Sequence, residues 1–333
     1  LNDLSWLPKF HGFLRVDKPA GMTSQDVITR LQHALIDRSA KFGKSLKKRE
    51  LPAMGHGGTL DPFATGLLVV AVGDGVKLTR YLLGSEKSYA AEVAFGARTA
   101  SGDLTNEVVA RTDMLPRDRA ALEKAAASFL GTPYLQIPPM YSAKKIEGVP
   151  LYEMARKGIE VERAAIACQV TEFSVGETRG TVNGVSSAQI LARVTSGTFI
   201  RTLAEDFATR MESLAHLTAL RRLASGVLKL EDALPLDAFA TALGEDRSWS
   251  DLPAFIPFHR AILGILPRQE LDDNTAKRVF AGEVRTIEGL ALTGKGSIAL
   301  YCQDHLVAIV RDGDAELGTR RSIERAFTLR FQD

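Results

Sequence analysis

The chain has 333 residues, 45% of them hydrophobic and 25% charged, with a formal net charge of +2. That length holds one large domain and a small one, and the composition is that of a folded globular protein, excluding a disordered or fibrous chain. A charge so near zero carries no bulk sign of a nucleic-acid partner, so such a partner has to be sought in local clusters. Cys168 and Cys302 stand far apart, and the six histidines are scattered, so neither a disulfide framework nor a metal-ligand spacing is visible. No apolar run reaches the ~18 residues of a membrane span and no signal-peptide core is seen at the N-terminus. A cytoplasmic protein with reduced thiols is expected.

In chain order, residues 12–17 read as a short strand ended by Lys18-Pro19-Ala20-Gly21, and Thr23 or Ser24 then caps a helix with Val27, Ile28, Leu31 and Leu35 on its apolar face. The stretch from Arg38 to Glu50 holds six basic residues against one acid. Alone it reads as a solvated loop, though a cluster of that kind also suits phosphates. A glycine-rich loop follows, Gly55-His56-Gly57-Gly58-Thr59-Leu60-Asp61-Pro62, and then the apolar run Leu67–Val72, read as a buried strand. Gly73-Asp74-Gly75 turns into a predicted helix over Val76–Leu83, where Lys77 and Arg80 share a face at a spacing that suits either neighbouring phosphates or solvent.

Further on, Tyr89–Phe95 alternates as a strand and Arg119–Leu130 reads as a helix broken by Gly131-Thr132-Pro133. Strand character returns over Ile166–Val175 and Ala188–Thr195, and a helix is expected over Phe199–Met211. Gly244–Pro257 reads as a connector. Beyond it, short strands are expected at Glu283–Ile287, Ser297–Gln303, Leu306–Val310 and Ala326–Phe331, with Gln303-Asp304-His305 closing a hairpin. Mixed strands and helices followed by closely spaced strands indicate an α/β (α+β) domain with one broad sheet and a small C-terminal β domain.

An Asp in a Gly-rich loop commonly caps its own backbone. Here, however, Gly55–Val69 strongly resembles the catalytic loop of the TruB family, the tRNA pseudouridine-55 synthases. Gly12–Ser24, Lys87-Ser88-Tyr89, Pro138–Lys144, Ser196–Leu203 and Leu220–Leu223 resemble further family segments in the same order, over about residues 12–236. The tail matches more loosely. The resemblance implies the pseudouridine synthase fold, with a central mixed, largely antiparallel sheet flanked by helices and loops. It implies a catalytic domain over 1–250 and a PUA-like RNA-binding domain over 258–333. It also implies an isomerase acting on uridine 55 in the T-loop of tRNA, with the T-arm stem-loop as partner, no cofactor and no metal, and a secondary tRNA-folding chaperone role. Residues 138–163 resemble the family's thumb, an insertion that closes over RNA and that the guide-RNA-dependent synthases of the dyskerin type generally lack. A stand-alone enzyme, monomeric and needing no guide RNA, is therefore expected.

Residue by residue, Asp61 matches the family's catalytic Asp, Arg201 the Arg that pairs with it, and Tyr89 the active-site Tyr against the uracil. His56 matches the His beside the flipped nucleotide, and Phe199 and Leu220 match residues lining the uracil pocket. Lys18, Lys77 and Asp103 lie in matching segments and are expected to support RNA contacts or site geometry. The family commonly has Tyr where this chain has Phe199, which keeps the ring and loses its hydroxyl. Without the resemblance, Tyr89 and Leu220 read as core residues and His56 as a structural or exposed ring. Arg201, as a cation near a helix start, opposes the helix dipole and so calls for an anionic partner. A sugar hydrolase built on Asp61 is the weaker reading, for no second carboxylate motif accompanies it.

Overall fold

A computed structural model of the chain describes residues 11–245, 247–292, 296–312 and 321–327. The fold is built on β3, Thr65–Val72, whose side chains are buried on both faces. Leu68, Val70 and Val72 point into the main core, while Leu67, Val69 and Ala71 point into a second core on the other side. A strand covered twice has to be apolar throughout, which is why this segment reads as an unbroken run without alternation.

Around β3 the described residues form a ten-stranded mixed sheet. β1 (Gly12–Lys18) pairs with it antiparallel, and so does the short β2 (Met54–His56). On its other side β7 (Ala215–Ser225) pairs parallel through Arg221 and Arg222. From β7 the sheet continues antiparallel through β4 (Lys87–Phe95) and β6 (Gly184–Val194) to β5 (Val170–Thr181). In β4 the side chains of Tyr89, Ala91, Val93 and Phe95 are buried, whereas Ser88, Ala90, Glu92 and Ala94 are half-exposed. The sheet is thus covered on both faces only near β1 and β3.

The main core is closed by α1 (Ser24–Lys41), α3 (Arg119–Ala127), α5 (Ile200–Thr209) and α6 (Leu236–Gly244), whose apolar faces pack on one side of the sheet. Thr23 is the cap of α1. Its hydroxyl accepts from the Asp26 amide while Asp26 accepts from the Thr23 amide, a reciprocal capping box. The predicted helix over Val76–Leu83 is a 3₁₀ turn, Gly73–Leu78, followed by the short α2, Thr79–Leu83. The basic stretch is only partly a loop, because Arg38 and Lys41 fall in the last turn of α1, where cations complement the helix dipole. Lys41, Lys47, Lys48 and Arg49 are exposed, and Leu46 and Leu51 tuck into the core.

Two expectations fail here. Gly244–Pro257 is no loose connector: Trp249 is fully buried and donates its ring N–H to the Phe239 carbonyl, and Phe255–Pro257 pairs with β1. Glu283–Ile287, expected as a strand, is helical instead. α8 (Val284–Glu288) folds back after α7 (Asp273–Phe280) at Gly282, which has φ of +77°. Ile287 there packs with Ala276 and Val279 of α7, so tertiary burial overrides the strand preference of Thr286 and Ile287. The C-terminal sheet runs β8 (Arg268–Glu270), β9 (Ser297–Cys302), β10 (His305–Arg311) and β11 (Ser322–Ala326). The expected hairpin joins β9 to β10, with Gln303 and Asp304 at positive φ. The strand expected over Ala326–Phe331 lies mostly outside the described residues. This sheet packs through Tyr301, Leu306, Ile309 and Phe327 against Phe13, Leu67 and Val69.

Gly66, where the glycine-rich loop enters β3, has φ of +100°, and a Cβ there would meet the Arg222 carbonyl oxygen at 2.4 Å. Both the backbone conformation and the contact exclude other residues. Gly66→Ala is expected to lower unfolding stability by about 2–4 kcal/mol, read as a lower midpoint in urea denaturation.

Candidate active site

The loop between β2 and β3 delivers Asp61, and its backbone is held from both flanks. On one side Lys18, fully buried, donates through Nζ to the carbonyls of Pro19 (2.9 Å), Met22 (2.7 Å) and Pro62 (3.3 Å). The Gly21 amide also donates to the Pro62 carbonyl, and the Leu60 amide to the Ser24 hydroxyl. On the other side Arg222, 1% exposed, donates to the Leu67 carbonyl (2.7 Å), the Gly58 carbonyl (3.1 Å) and, at the limit of hydrogen bonding, the Thr59 carbonyl (3.5 Å). Buried carbonyls without such partners would each cost about 1–3 kcal/mol, so these two cations define one conformation for the loop.

Arg201, in the first turn of α5, meets the carboxylate. Its Nε lies 2.9 Å from Asp61 Oδ2 and its Nη2 3.4 Å from Oδ1. The rest of the guanidinium is committed as well: Nη1 donates to the Ser101 carbonyl (2.5 Å) and Nη2 to the Tyr141 carbonyl (2.7 Å). Behind it stands Asp103, buried, with Oδ2 3.7 Å from Arg201 Nη1. Ser101, Thr105 and the Thr105 amide all donate to Asp103 Oδ1. The anionic partner demanded by Arg201 at a helix start is therefore present twice.

Asp61 keeps one-third of its side chain open, and it opens onto a cavity of about 310 Å³. The cavity walls include Tyr89, Phe199, Arg201, Leu220 and Arg222, with Ser142 and Lys144 from the thumb segment. Burial pushes the Asp61 carboxyl above its ordinary value, Arg201 acts against that shift, and Asp103 adds to it. In so enclosed a site desolvation outweighs the ion pair. Burial also lowers Lys18 and Lys87 to about 8 each, Asp61 opposing this at Lys18 and the Arg222 charge adding to it at both.

Of the residues singled out in the sequence, the structure gathers Asp61, Tyr89, Phe199, Arg201 and Leu220 around this one cavity. Four lie outside its walls. Lys18 is sealed beneath the loop, so it braces the loop and presents no charge to a substrate. Asp103 backs Arg201. Lys77 sits on the 3₁₀ turn paired with Asp74 at 2.7 Å. His56, at the end of β2, has its pKa lowered by burial and then by Arg222, and its Nδ1 is buried with no hydrogen-bond partner among the described residues.

Sequence reading passed over three residues that build the site. Arg222 and Lys87 were visible only as members of longer segments. Gln136, fully buried, accepts from the Phe199 amide at 2.7 Å and donates to the Phe199 carbonyl at 3.0 Å. It thereby fixes the residue that precedes α5. No local pattern announces such a side chain, since the residue it fixes lies 63 positions away.

The same geometry accompanies clear sequence kinship. A sequence model of the TruB family pseudouridylate synthase N-terminal domain matches residues 44–200. The tRNA pseudouridine synthase B of Burkholderia lata is 34% identical, over 95% of this chain and 91% of its own length. The chain belongs to the TruB family. Relatives with the same name from Psychrobacter cryohalolentis and Streptococcus thermophilus are 36% and 33% identical, each over 90% of this chain and over 78% and 94% of their own lengths. Among solved structures, a Cbf5-Nop10-Gar1 complex contains a chain with a TM-score of 0.68 and 23% identity, covering 96% of this chain and 85% of that one. The two chains share a fold over nearly the whole of this one.

The opposing influences on Asp61 give a test with a definite sign. If the carboxylate is the acting form, activity falls as pH drops through its pKa. Arg201 is the largest influence holding that pKa down. Arg201→Lys, which cannot reproduce the two-point contact, is expected to move the acid limb of the single-turnover pH profile to higher pH and to slow the plateau rate. An acid limb left in place would show that Arg201 does not govern the ionisation of Asp61.

Proposed function

We propose that this TruB-family protein converts uridine to pseudouridine at position 55 in the T-loop of tRNA, acting alone on the RNA with Asp61 as nucleophile. What carries the reading is the single open carboxylate, clamped at two points by Arg201 and facing a cavity of nucleoside scale. In the reaction the C1′–N1 bond breaks, the freed uracil turns, and C1′ bonds to C5. The hydrogen on C5 leaves as a proton and N1 gains one, so no electrons enter or leave. The chemistry asks the protein for a carboxylate to meet the electron-poor centre, an enclosed space in which the base can turn, and exclusion of water.

The residues present divide that work. Asp61 supplies the negative charge, and Arg201 holds its orientation and opposes the upward pull of burial on its pKa. Tyr89 and Phe199 offer ring faces to a uracil extruded from its stack, and Leu220 supplies an apolar floor. The absent hydroxyl at Phe199 leaves this contact to shape alone. Residues 138–163, read as the thumb, are bracketed by a two-strand ladder of Tyr134–Gln136 with Ile166–Cys168. They bring Ser142 and Lys144 to the cavity, and Arg156 over the ring of Tyr152, the aromatic-plus-basic surface that suits single-stranded RNA. The exposed cations at Lys41, Lys47, Lys48 and Arg49 fit phosphates of the same RNA, and the C-terminal sheet is read as a PUA-like RNA-binding domain.

The deciding experiment is pseudouridine formation on an unmodified tRNA transcript, mapped to one nucleotide. Wild type should modify the T-loop uridine without a guide RNA. Asp61→Asn should show no turnover while still binding tRNA, and refolding activity that survives in this variant would place the chaperone role outside the chemistry. Turnover near wild-type level in Asp61→Asn would remove the nucleophile assignment.

Charge reversal at Lys47, Lys48 and Arg49 is expected to weaken tRNA binding and flatten its salt dependence. The single-turnover rate at saturation should stay within about twofold. Unaltered affinity at several salt concentrations would assign those cations to solvent alone.

A further inference from the structure

We infer that the C-terminal sheet positions the catalytic pocket, through Glu324, and so sets the rate of the chemical step as well as the hold on RNA. The inference rests on the activity proposed above. Its starting point is Glu324 on β11, whose side chain is 9% exposed and is the hub of four contacts. It accepts from Tyr81 (2.9 Å), Ser297 (2.8 Å) and Arg311 (2.7 Å), and it pairs with Arg80 at 3.1 Å. Ser297 and Arg311 belong to the C-terminal sheet, whereas Arg80 and Tyr81 belong to α2. Arg80, which the sequence offered to phosphates or solvent, also donates to the Tyr81 hydroxyl at 2.5 Å and stacks over its ring.

The helix so gripped has five residues, too few to be stable by its own hydrogen bonds. Its conformation is set by what touches it. Leu82 is fully buried in the core that the two sheets share. The far end of α2 is part of the active site. The Leu83 carbonyl accepts from Lys87 Nζ (2.7 Å) and from the Ser196 hydroxyl (2.5 Å), and Leu83, Lys87 and Ser196 all line the cavity with Asp61. The catalytic loop lies against the same helix: a Cβ on Gly57 would touch Leu82 at 3.5 Å, and one on Gly58 would stand 3.9 Å from Leu83. Direct contacts therefore run from Glu324 through Arg80 and Tyr81 to the wall of the pocket and the loop that carries Asp61. Arg80, Tyr81 and Glu324 touch no reacting atom and are positioning residues.

A domain that only held RNA would change affinity when disturbed, whereas one that shapes the pocket changes the rate constant with tRNA already bound. The test measures both on the full chain, by single-turnover kinetics at saturating enzyme and by equilibrium tRNA binding, at a temperature well below each variant's melting midpoint. Glu324→Ala is expected to slow the saturated rate about tenfold while Kd stays within about twofold. Tyr81→Phe, which removes one oxygen and is the fallback should Glu324→Ala fail to fold, should slow it severalfold. The double variant should lose no more than Glu324→Ala alone, because both act through one contact chain. A raised Kd with an unchanged saturated rate in Tyr81→Phe, or no change in either quantity, would overturn the inference. Wild type in the same assay separates the two proposals: without pseudouridine from wild type the activity itself falls, whereas an active wild type with insensitive variants overturns only the role of Glu324.

Discussion

The pocket depends on one buried ion pair. An enclosed carboxylate is expensive, and its cheapest escape is to take up a proton and lose its charge. Arg201 opposes that escape because its guanidinium is itself immobilised, by the carbonyls of Ser101 and Tyr141 and by Asp103 behind it. A cation free to swing away would leave burial unopposed. The same fixity makes Arg201 intolerant of replacement, since its loss leaves the buried Asp103 without a cation.

The rest of the fold can be read as the means of placing those two groups. Asp61 and Arg201 are 140 positions apart and come from a loop and a helix that share no local sequence constraint. They meet because β3 and β7 lie side by side, parallel, so that the loop entering β3 adjoins β7, and α5 packs on that same strand. Arg222 then turns this adjacency into a fixed geometry by reaching across to the loop carbonyls, while Lys18 does the same from the end of β1. Two buried cations bonded to backbone oxygens do the positioning, and a third faces the carboxylate.

How much of this the sequence disclosed follows from the range of each interaction. β3 was legible because burial on both faces leaves a continuous apolar run, and β4 because burial on one face leaves an alternation. The cap at Thr23 and the hairpin at Gln303-Asp304 were legible because turn and cap chemistry is local. The expected strand over Glu283–Ile287 failed because its fate was decided by contacts with α7, and the expected connector failed because nothing local shows that Trp249 is drawn beneath Phe239. In the site, resemblance to the TruB family brought out Asp61, Arg201, Tyr89, Phe199 and Leu220 together. It placed Lys18 and Asp103 in the right neighbourhood without separating contact from support. Gln136 was invisible, since its whole significance lies in two backbone atoms of a distant residue.

That separation between contact and support has a physical basis. Groups read as meeting the substrate line the cavity, as Asp61, Tyr89 and Leu220 do, whereas groups that only hold the site gain strength from losing exposure, because a hydrogen bond sheltered from water has less competition. Lys18, Arg222, Gln136 and Asp103 are all nearly or wholly buried, and each ends on backbone or on another fixed side chain. Tyr141 joins the two classes. Its carbonyl is part of the cradle of Arg201, while its own segment opens the thumb whose Ser142 and Lys144 reach the cavity. Direct contacts therefore join the thumb stem to the guanidinium and through it to the carboxylate, so that the surface read as an RNA clamp and the group proposed as nucleophile share one contact chain.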